Sequence, residues 1–339
     1  MLINDKKIGL DKPVYLIAEI GSNHNQDKSL ALEMIHMAAE SGADAVKFQS
    51  IRFDKLYQRN YEANDFREWF KQIELDEEWY FDLANQAKKT GIDFISSPTY
   101  VEAVDLLEEL KVPAYKIASP QVYGNLEIVR RTAKTGKPLI MSLGYCEYND
   151  INNAVKVAQE EGNNQIILLH CISKYPMNPE DANLRFIKTL QKMFPFSIGF
   201  SDHSLDSHIA IAAVAMGACV IEKHVTINRK MKGPDHNFAI TFEEFQLMSK
   251  KIRDITIAQG NGLREKLLDD EYLHRQKVEL KAFAKVYLEA GTQIDSSHIM
   301  WSRFSGEAVT YAKINSLIGR RISSNLSAGA PISWDLFDS

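Results

Sequence analysis

Two lysines lie inside short apolar segments, where a positive charge is unusual. Lys47 lies in DAVKFQS (44–50) and Lys116 lies in AYKIAS (114–119). Burial of a lone ammonium group is costly unless an anion or another partner compensates the charge. Two such lysines on nearby strands would also repel each other unless a phosphate or carboxylate lay between them. Neutral donors to such an anion lie at the end of the Lys116 segment and near the ends of three other segments: Ser119, Ser97, Ser142 and Ser201.

Two histidines end the successive apolar segments SIGFSDH and CVIEKHV. Because side chains alternate along a strand, His203 shares a face with Ser201, and His224 shares a face with Glu222. Two imidazoles on adjacent strands suit one divalent metal ion, with open positions for water or substrate oxygen. Asp235, in the GPDH turn that follows (233–236), would hang over the same region or would simply form a turn.

Each of these residues also has a purely structural explanation. Lys47 could pair with Glu19, and Lys116 could pair with Asp93. His170, at the end of IILLHC, is either a site residue or a hydrogen-bonded core residue. Polar groups end nearly all of the apolar segments, however, and independent structural explanations for all of them are jointly improbable. The pattern therefore favours an anion site beside an open metal site.

Groups of this kind need a frame that brings strand ends together. Short segments rich in β-branched residues alternate with stretches that carry apolar residues at i, i+3, i+4 and i+7. These segments are VYLIAEI (14–20), DAVKFQS (44–50), DFISSP (93–98), AYKIAS (114–119), PLIMSL (138–143), IILLHC (166–171), SIGFSDH (197–203) and CVIEKHV (219–225). Eight such units over roughly 250 residues predict an α/β fold of the (β/α)8 TIM barrel class, whose active residues project from the carboxyl ends of the strands. A doubly wound open sheet is the alternative, but the sequence has no G-x-G-x-x-G or P-loop motif to support it.

The character of the chain changes after residue 260. We expect a barrel over residues 1–260, a linker or connecting helix over 261–280, and a small β-rich domain over 281–339. In that last domain, LEAGTQI and LSAGAPI resemble each other, and each predicts a short strand, a glycine turn and a second strand. About 60 residues form a marginal domain alone, which suggests that it docks on something.

Composition restricts the class of partner. The 339 residues carry a formal net charge of −5, which argues against a nucleic-acid-binding surface. No apolar run reaches the roughly 18 residues of a membrane span, and the first residues do not form a signal peptide. The three cysteines have no metal-motif spacing, as expected in a reducing compartment. We therefore expect a cytoplasmic protein without a nucleic-acid or membrane partner.

Taken together, the motifs resemble those of the sialic acid synthase family. They are AEIGSNHN (18–25), GADAVKFQ (42–49), YKIAS (115–119), TGKPLIMS (135–142), LHCISKYP (169–176), GFSDHS (199–204), GACVIEKHVT (217–226) and MKGPDHNF (231–238). The tail from residue 282 onward resembles the C-terminal SAF (antifreeze-like) domain of that family. The resemblance implies a TIM barrel, a domain-swapped homodimer whose tail covers the partner's active site, and a divalent metal, usually manganese, with magnesium or cobalt as substitutes.

The resemblance also implies a role for each matching residue. Phosphoenolpyruvate would be bound by Lys47, Ser97, Lys116, Ser119, Ser142, Ser173 and Ser201. The metal would be held by His203 and His224, and Glu19 would lie near the reacting carbons. The acceptor sugar would be contacted by Tyr175, Asp235 and Phe283, and also by Arg303 of the partner subunit.

The implied reaction is a metal-dependent carbon–carbon bond formation by a transferase. Phosphoenolpyruvate condenses with an open-chain N-acylated hexosamine, such as N-acetylmannosamine, and phosphate is released. The metal would act as a Lewis acid on the aldehyde, and the lysines would neutralise the anion. The main alternative is another phosphoenolpyruvate–sugar synthase of the 3-deoxy-octulosonate or heptulosonate type, although the SAF-like tail counts against it. A metal-dependent aldolase or hydrolase and an ice-binding or scaffold protein are less consistent with the site residues.

The chain departs from the family pattern on the acceptor side. Gln121 stands where a sugar-binding glutamate is usual, and Gln26 stands where glycine is usual. LGYCE follows the fifth strand in place of a TGM-like sequence, and the tail reads RFSGE (303–307) in place of Arg-Pro-Gly-x-Gly. The residues expected to bind phosphoenolpyruvate and metal are intact. We therefore expect the same reaction on an acceptor that these motifs do not identify.

Overall fold

A ring of parallel strands carries the lysines, serines and histidines considered above. The computed structural model of the chain describes residues 1–58 and 64–337. The chain divides into two compact units, Met1–Asn261 and Gly262–Ser339. The strands are β1 (Leu2–Ile3), β2 (Lys6–Lys7), β3 (Tyr15–Glu19), β4 (Ala45–Ser50), β5 (Asp93–Pro98), β6 (Tyr115–Ile117), β7 (Leu139–Ser142), β8 (Ile166–Cys171), β9 (Ser197–Asp202), β10 (Val220–Thr226), β11 (Ile240–Thr241), β12 (Leu280–Ala284) and β13 (Ile299–Arg303).

Helices connect these strands. They are α1 (Lys28–Glu40), α2 (Phe53–Leu56), α3 (Asn64–Phe70), α4 (Tyr80–Thr90), α5 (Glu102–Glu109), α6 (Ser119–Gly124), α7 (Leu126–Ala133), α8 (Tyr148–Glu160), α9 (Arg185–Met193), α10 (His208–Ala215), α11 (Phe242–Ala258), α12 (Asp269–Val278) and α13 (Ile314–Leu317). Short 3₁₀ turns cover Glu77–Trp79, Pro179–Asp181, Ser296–His298, Tyr311–Lys313 and Trp334–Leu336. Within the described ranges, none of the helices has both the length and the apolar character needed to cross a bilayer.

Strands β3 to β10 form one parallel sheet in the order β5-β4-β3-β10-β9-β8-β7-β6. Its two ends, β5 and β6, contact each other, so the sheet is a nearly closed barrel. Each of the eight predicted segments contains one of these strands. The predicted (β/α)8 barrel is therefore confirmed, and the doubly wound open sheet is wrong.

Two apolar layers explain why these segments read as continuous hydrophobic runs. One layer fills the barrel itself and includes Ile17, Ile95, Ile140 and Ile167, with Ile3 from the β1–β2 hairpin in the same cluster. The other layer lies between the strands and the surrounding helices. Strands that are buried on both faces need apolar residues at successive positions, as in other parallel sheets.

The segment AYKIAS is a strand over only half of its length. Strand β6 ends at Ile117, and α6 begins at Ser119 with Pro120 in its first turn. Proline is tolerated there because its missing N–H would have no intrahelical partner. Ser119 and Gln121 therefore lie in the first turn of a helix, close to the end of the strand that carries Lys116.

In the second unit, the two similar phrases do not form the regular strands that the sequence predicts. Among the described residues of this unit, only β12 and β13 pair as a ladder, in antiparallel register. The phrases make isolated bridges, and the first residue of each is bridged to the other, Leu288 to Leu326. Both turn glycines, Gly291 and Gly329, have positive φ values of 85° and 82°. Tight glycine turns leave too few extended residues on either side for a ladder.

A buried ion pair lies on the outer face of the barrel. Asp202 and Lys223 are Cα partners across β9 and β10, and Lys223 Nζ lies 2.8 Å from Asp202 Oδ2. The same ammonium group also donates to the carbonyl oxygens of Ser204 and Asp206. Both side chains are about 1% exposed or less, so each charge depends on the other.

Lys223→Met should lower the free energy of unfolding by about 3–5 kcal/mol, because the Asp202 carboxylate would stay buried without its counter-charge. Lys156→Met is the matched control, since Lys156 is 76% exposed and lies 3.9 Å from Glu160. That change should cost less than about 1 kcal/mol. Urea unfolding measures both, and equal losses would contradict a special role for the buried pair.

Candidate active site

Lys47 and Lys116 belong to one buried cluster at the carboxyl end of the barrel. Lys47 Nζ lies 3.0 Å from Glu19 Oε2, on the neighbouring strand β3. Lys116 Nζ lies 3.6 Å from Glu222 Oε1, and Lys47 Nζ lies 3.8 Å from Glu222 Oε2. The anion that two nearby lysines require is therefore present within the chain, as the carboxylate of Glu222.

Two structural alternatives from the sequence are decided by these contacts. Asp93 does not pair with Lys116, because it begins β5 at the other end of the barrel and accepts a 2.7 Å hydrogen bond from the Tyr15 hydroxyl. His170 is a hydrogen-bonded core residue, since its Nε2 lies 2.8 Å from the carbonyl oxygen of Ala182. Lys47 does pair with Glu19, as the sequence suggests, but it also contacts the carboxylate of Glu222.

The two carboxylates of the cluster differ in their electrostatics. Burial alone raises the pKa of Glu222, but the ammonium groups of Lys116 and Lys47 outweigh it and bring the pKa to about 2. Burial raises the pKa of Glu19 to about 7, and Lys47 offsets that effect only in part. Glu222 is thus an ionised counter-charge, whereas Glu19 can hold or release a proton near neutral pH. Gln49 donates a 2.6 Å hydrogen bond to Glu19 Oε1 and fixes its orientation.

Hydroxyl groups surround the same space. Ser201 donates to Glu222 Oε1 at 2.9 Å, and Lys47 donates to Ser97 Oγ at 3.3 Å. Ser142 and Ser173 have buried hydroxyl oxygens that make no hydrogen bond within residues 1–58 and 64–337. Buried polar groups are normally satisfied, so two unpaired hydroxyls indicate a place that a ligand completes.

Gly144 lets two of the predicted hydroxyls converge. Its N–H donates to Ser119 Oγ at 2.8 Å. A Cβ atom at this position would collide with Ser173 Oγ and would lie 3.0 Å from Ser119 Oγ. A glycine is therefore required for both serines to lie against the backbone of the loop after β7.

The two histidines lie side by side at the ends of β9 and β10, with ring centroids 5.5 Å apart. His203 Nδ1 lies 2.8 Å from the carbonyl oxygen of Ile172, which can only accept, so the neutral ring carries its proton on Nδ1 and leaves the Nε2 lone pair free. His224 Nδ1 is buried and makes no hydrogen bond to any residue that the structure describes. Burial lowers the pKa of both rings to about 4, so both are neutral at pH 7.

Asp235 reaches this pair from the GPDH turn. Its Oδ2 lies 4.0 Å from His224 Nδ1 and accepts a 2.9 Å hydrogen bond from the Ser22 hydroxyl. Within residues 1–58 and 64–337, no three His, Cys, Asp or Glu side chains already converge as a complete metal site. Two neutral imidazoles, one with an unpaired buried nitrogen, nevertheless fit an open divalent site that takes its other ligands from water or substrate.

The predicted acceptor contacts divide between the two units. Tyr175 packs against His203 with ring centroids 4.2 Å apart, and Gln121 has a buried carbonyl oxygen without a partner. Phe283 lies on β12 and Arg303 lies on β13 of the second unit. Phe283 packs there against Phe304, with ring centroids 5.4 Å apart.

Two buried residues of the site are absent from the sequence-based set. Glu222 shares a strand face with His224, and this spacing was a usable signal, but spacing alone cannot show that the carboxylate lies between two lysines. His24 is fully buried in the turn after β3, with its ring edge-on to Trp79, and its Nε2 has no hydrogen-bond partner among the described residues. Burial lowers the pKa of His24 to about 4.

The chain is similar to known proteins in sequence and in fold. The profile of the NeuB family matches residues 34–264, and that of the SAF domain matches residues 282–338. The N,N'-diacetyllegionaminic acid synthase of Legionella pneumophila is 34% identical over 97% of this chain and 96% of its own length. The pseudaminic acid synthase of Helicobacter pylori is 30% identical over 96% of this chain and 98% of its own length.

A solved structure of a synthetase is also similar to this chain. The N-acetylneuraminic acid synthetase from Leptospira borgpetersenii is 34% identical, with a TM-score of 0.75 over 81% of this chain and 95% of that chain. The three named products differ from one another, so the similarity is to a group of synthases rather than to one specificity.

His24→Asn should make stability less sensitive to acidification between pH 7 and pH 5. In the unfolded chain the imidazole takes up a proton through its ordinary pKa near 6.5, whereas the buried ring stays neutral down to about pH 4. Falling pH therefore favours the unfolded wild type, by about 2 kcal/mol at pH 5 for this one ring.

The variant lacks this contribution, so its loss of stability between the two pH values should be smaller by that amount. Urea unfolding at pH 7 and pH 5, with a chelator in the buffer, measures the difference. An identical pH dependence in the two proteins would show that His24 is not kept neutral by burial.

Proposed function

The chain belongs to the NeuB family, and we propose that it is a nonulosonic acid synthase that condenses phosphoenolpyruvate with an N-acylated hexosamine such as N-acetylmannosamine. The motifs predict this family and its SAF domain, and the profile matches confirm both. An enzyme of the transferase class is therefore expected from full-length relatives that are synthases. The observation that carries the proposal is the buried pair of lysines beside two unsatisfied serine hydroxyls.

Phosphoenolpyruvate suits this space because it carries a phosphate and a carboxylate close together. Burial lowers the pKa of Lys116. The Glu222 carboxylate, 3.6 Å away, opposes that effect only in part. A second anion near this ammonium would favour its charged form. Ser142 and Ser173 would supply the neutral donors that an oxyanion also accepts.

The proposed reaction balances without an oxidant or reductant. C3 of phosphoenolpyruvate attacks the aldehyde carbon of the open-chain sugar as the C2=C3 π bond breaks, and a water oxygen adds at C2. One proton of that water ends on the former aldehyde oxygen, and the other leaves with phosphate. The C2–O bond to phosphate then breaks, which leaves a 2-keto acid and inorganic phosphate. Glu19, with a pKa near 7, can accept the proton of that water or return one to the leaving phosphate.

His203 and His224 would hold a divalent cation, manganese by resemblance or else magnesium or cobalt, which supplies Lewis-acid polarisation of the aldehyde oxygen. Both rings are neutral at pH 7, as a metal ligand must be. Tyr175, Asp235 and Gln121 would contact the acceptor. By resemblance, we also propose that Phe283 contacts the acceptor, and that the protein is a domain-swapped homodimer in which Arg303 of the partner subunit completes the acceptor site.

The relatives do not identify the acceptor sugar, because their named products differ. Gln121 is a neutral amide where the family usually has a carboxylate, so it can donate as well as accept. The match of the SAF domain supports this proposal over a 3-deoxy-octulosonate or heptulosonate synthase.

Phosphate should be released only when phosphoenolpyruvate, a divalent cation and an N-acylated sugar are all present. The assay is a panel of N-acetylmannosamine, its 6-phosphate and diacetamido sugars, with Mn²⁺, Mg²⁺ or Co²⁺ added to chelator-treated protein. His203→Ala should lose the metal response. Absence of turnover with every sugar would contradict the synthase assignment, and full activity in a chelator would contradict the metal.

Lys116→Met should abolish measurable binding of phosphoenolpyruvate, since a buried charge-assisted contact to a ligand anion is lost. Calorimetric titration of the apo protein with phosphoenolpyruvate measures this directly. Lys137→Met is the control, because Lys137 is 26% exposed and pairs with Glu108 on the outer helices. Unchanged affinity in Lys116→Met would remove this lysine from the phosphoenolpyruvate site.

A further inference from the structure

His236, the last residue of the GPDH turn, has no role in the chemistry described so far. Its side chain is 1% exposed, although it follows a mostly exposed or half-buried stretch from residue 227 to 235. It is therefore the first buried residue after Thr226, which ends strand β10. A polar ring is costly to bury without partners, so its contacts indicate what it does.

Both ring nitrogens of His236 are hydrogen-bonded. Nε2 lies 3.0 Å from the amide oxygen of Asn25, which accepts, so the proton of the neutral ring is on Nε2. Nδ1 lies 2.7 Å from the Thr226 hydroxyl and accepts its proton. The Thr226 oxygen in turn accepts the Asn228 N–H at 3.1 Å. Donors and acceptors match along the whole chain of contacts.

These contacts join the first and the last strands of the barrel. Asn25 lies in the turn after β3, with a left-handed φ of 49°, and Thr226 lies at the end of β10. Gly233 makes the contact sterically feasible, because a Cβ there would lie 2.7 Å from His236 Cδ2 and 2.8 Å from Asn25 Oδ1. The imidazole is therefore a fixed bridge between two loops that are far apart in sequence.

Asp235 is the residue directly before His236 in the chain, so the position of the imidazole restricts the position of Asp235. Its carboxylate accepts hydrogen bonds from the N–H of Ser22 at 3.3 Å and from the hydroxyl of Ser22 at 2.9 Å. Ser22 belongs to the same turn as Asn25, so both ends of the contact are held to one loop. This arrangement keeps Asp235 Oδ2 at 4.0 Å from His224 Nδ1.

We propose that His236 is a positioning residue that fixes Asp235 beside His224 and thereby sets the orientation of the acceptor sugar. Its ring nitrogens hydrogen-bond to Asn25 and Thr226, outside the lysine cluster and the histidine pair, and it acts through the loop that carries Asp235. The inference rests on the proposed function, because it assigns Asp235 to the acceptor rather than to phosphoenolpyruvate. Loss of this support would let Asp235 move, and catalysis would fall because the acceptor sugar loses its alignment while the reacting groups stay intact.

The test compares steady-state constants for the two substrates in the full-length protein with metal present. His236→Gln should raise the KM for the acceptor, or lower kcat/KM for it, by roughly tenfold or more, with the KM for phosphoenolpyruvate within about twofold. Thr226→Val removes one contact of the ring and should shift the same constant in the same direction. Thr226→Ser keeps the hydroxyl and is the matched control, with near wild-type values.

A double-mutant cycle separates positioning from general loss of structure. If His236 acts through Asp235, then His236→Gln should have little further effect on acceptor kinetics in the Asp235→Asn background. Fully additive effects, or equal losses for both substrates, would overturn the inference. Thermal unfolding of each variant identifies any protein that has failed to fold, and in that case Thr226→Val against Thr226→Ser decides the question.

These outcomes are distinct from those for the proposed function. A wild type that releases no phosphate with any acceptor would contradict the synthase assignment and the inference with it. An active wild type whose Thr226→Val and His236→Gln variants keep the wild-type acceptor KM would contradict the inference alone.

Discussion

The cost of burying charge dominates the carboxyl end of this barrel. Lys47 and Lys116 are almost fully buried, and water does not solvate them. Glu222 makes the arrangement stable because it lies within 4 Å of both ammonium groups. When Glu19 holds its proton, the one ionised carboxylate, Glu222, leaves a net positive charge beside the two lysines, and an anionic substrate can use this surplus.

Three consecutive residues of β10 have different roles, because successive side chains of a strand point to opposite faces of the sheet. Glu222 and His224 face the site, whereas Lys223 faces the helices and pairs with Asp202 of β9. The outward ion pair ties the two strands together immediately behind the two inward histidines. The register that keeps the outer charges paired is the same register that places His203 and His224 side by side, because a shift by one residue would exchange the faces.

One departure from the family pattern has a local structural explanation. Gln26 adopts a left-handed φ of 59°, which favours glycine at the cost of about 1 kcal/mol for other residues. Its side-chain amide donates to the carbonyl oxygens of Gln72 and Glu74, and these contacts can offset that cost. The loop after β3 is thereby held to the segment after α3. Gln121 differs, because its buried carbonyl oxygen has no hydrogen-bond partner in the part of the chain that the structure describes.

The sequence by itself determined the fold class, the eight barrel strands and the polar character of their ends. Those features depend on local periodicity and on the types of residue in each segment, which are readable along the chain. Only the tertiary structure decided which groups meet: that Lys116 faces Glu222 rather than Asp93, that His170 is satisfied by a backbone carbonyl, and that His236 bridges two distant loops. It also decided that the tail phrases form isolated bridges rather than strands. Such pairings depend on the order in which strands and loops surround the barrel, and residues as far apart as Asn25 and His236 are brought together only by its closure.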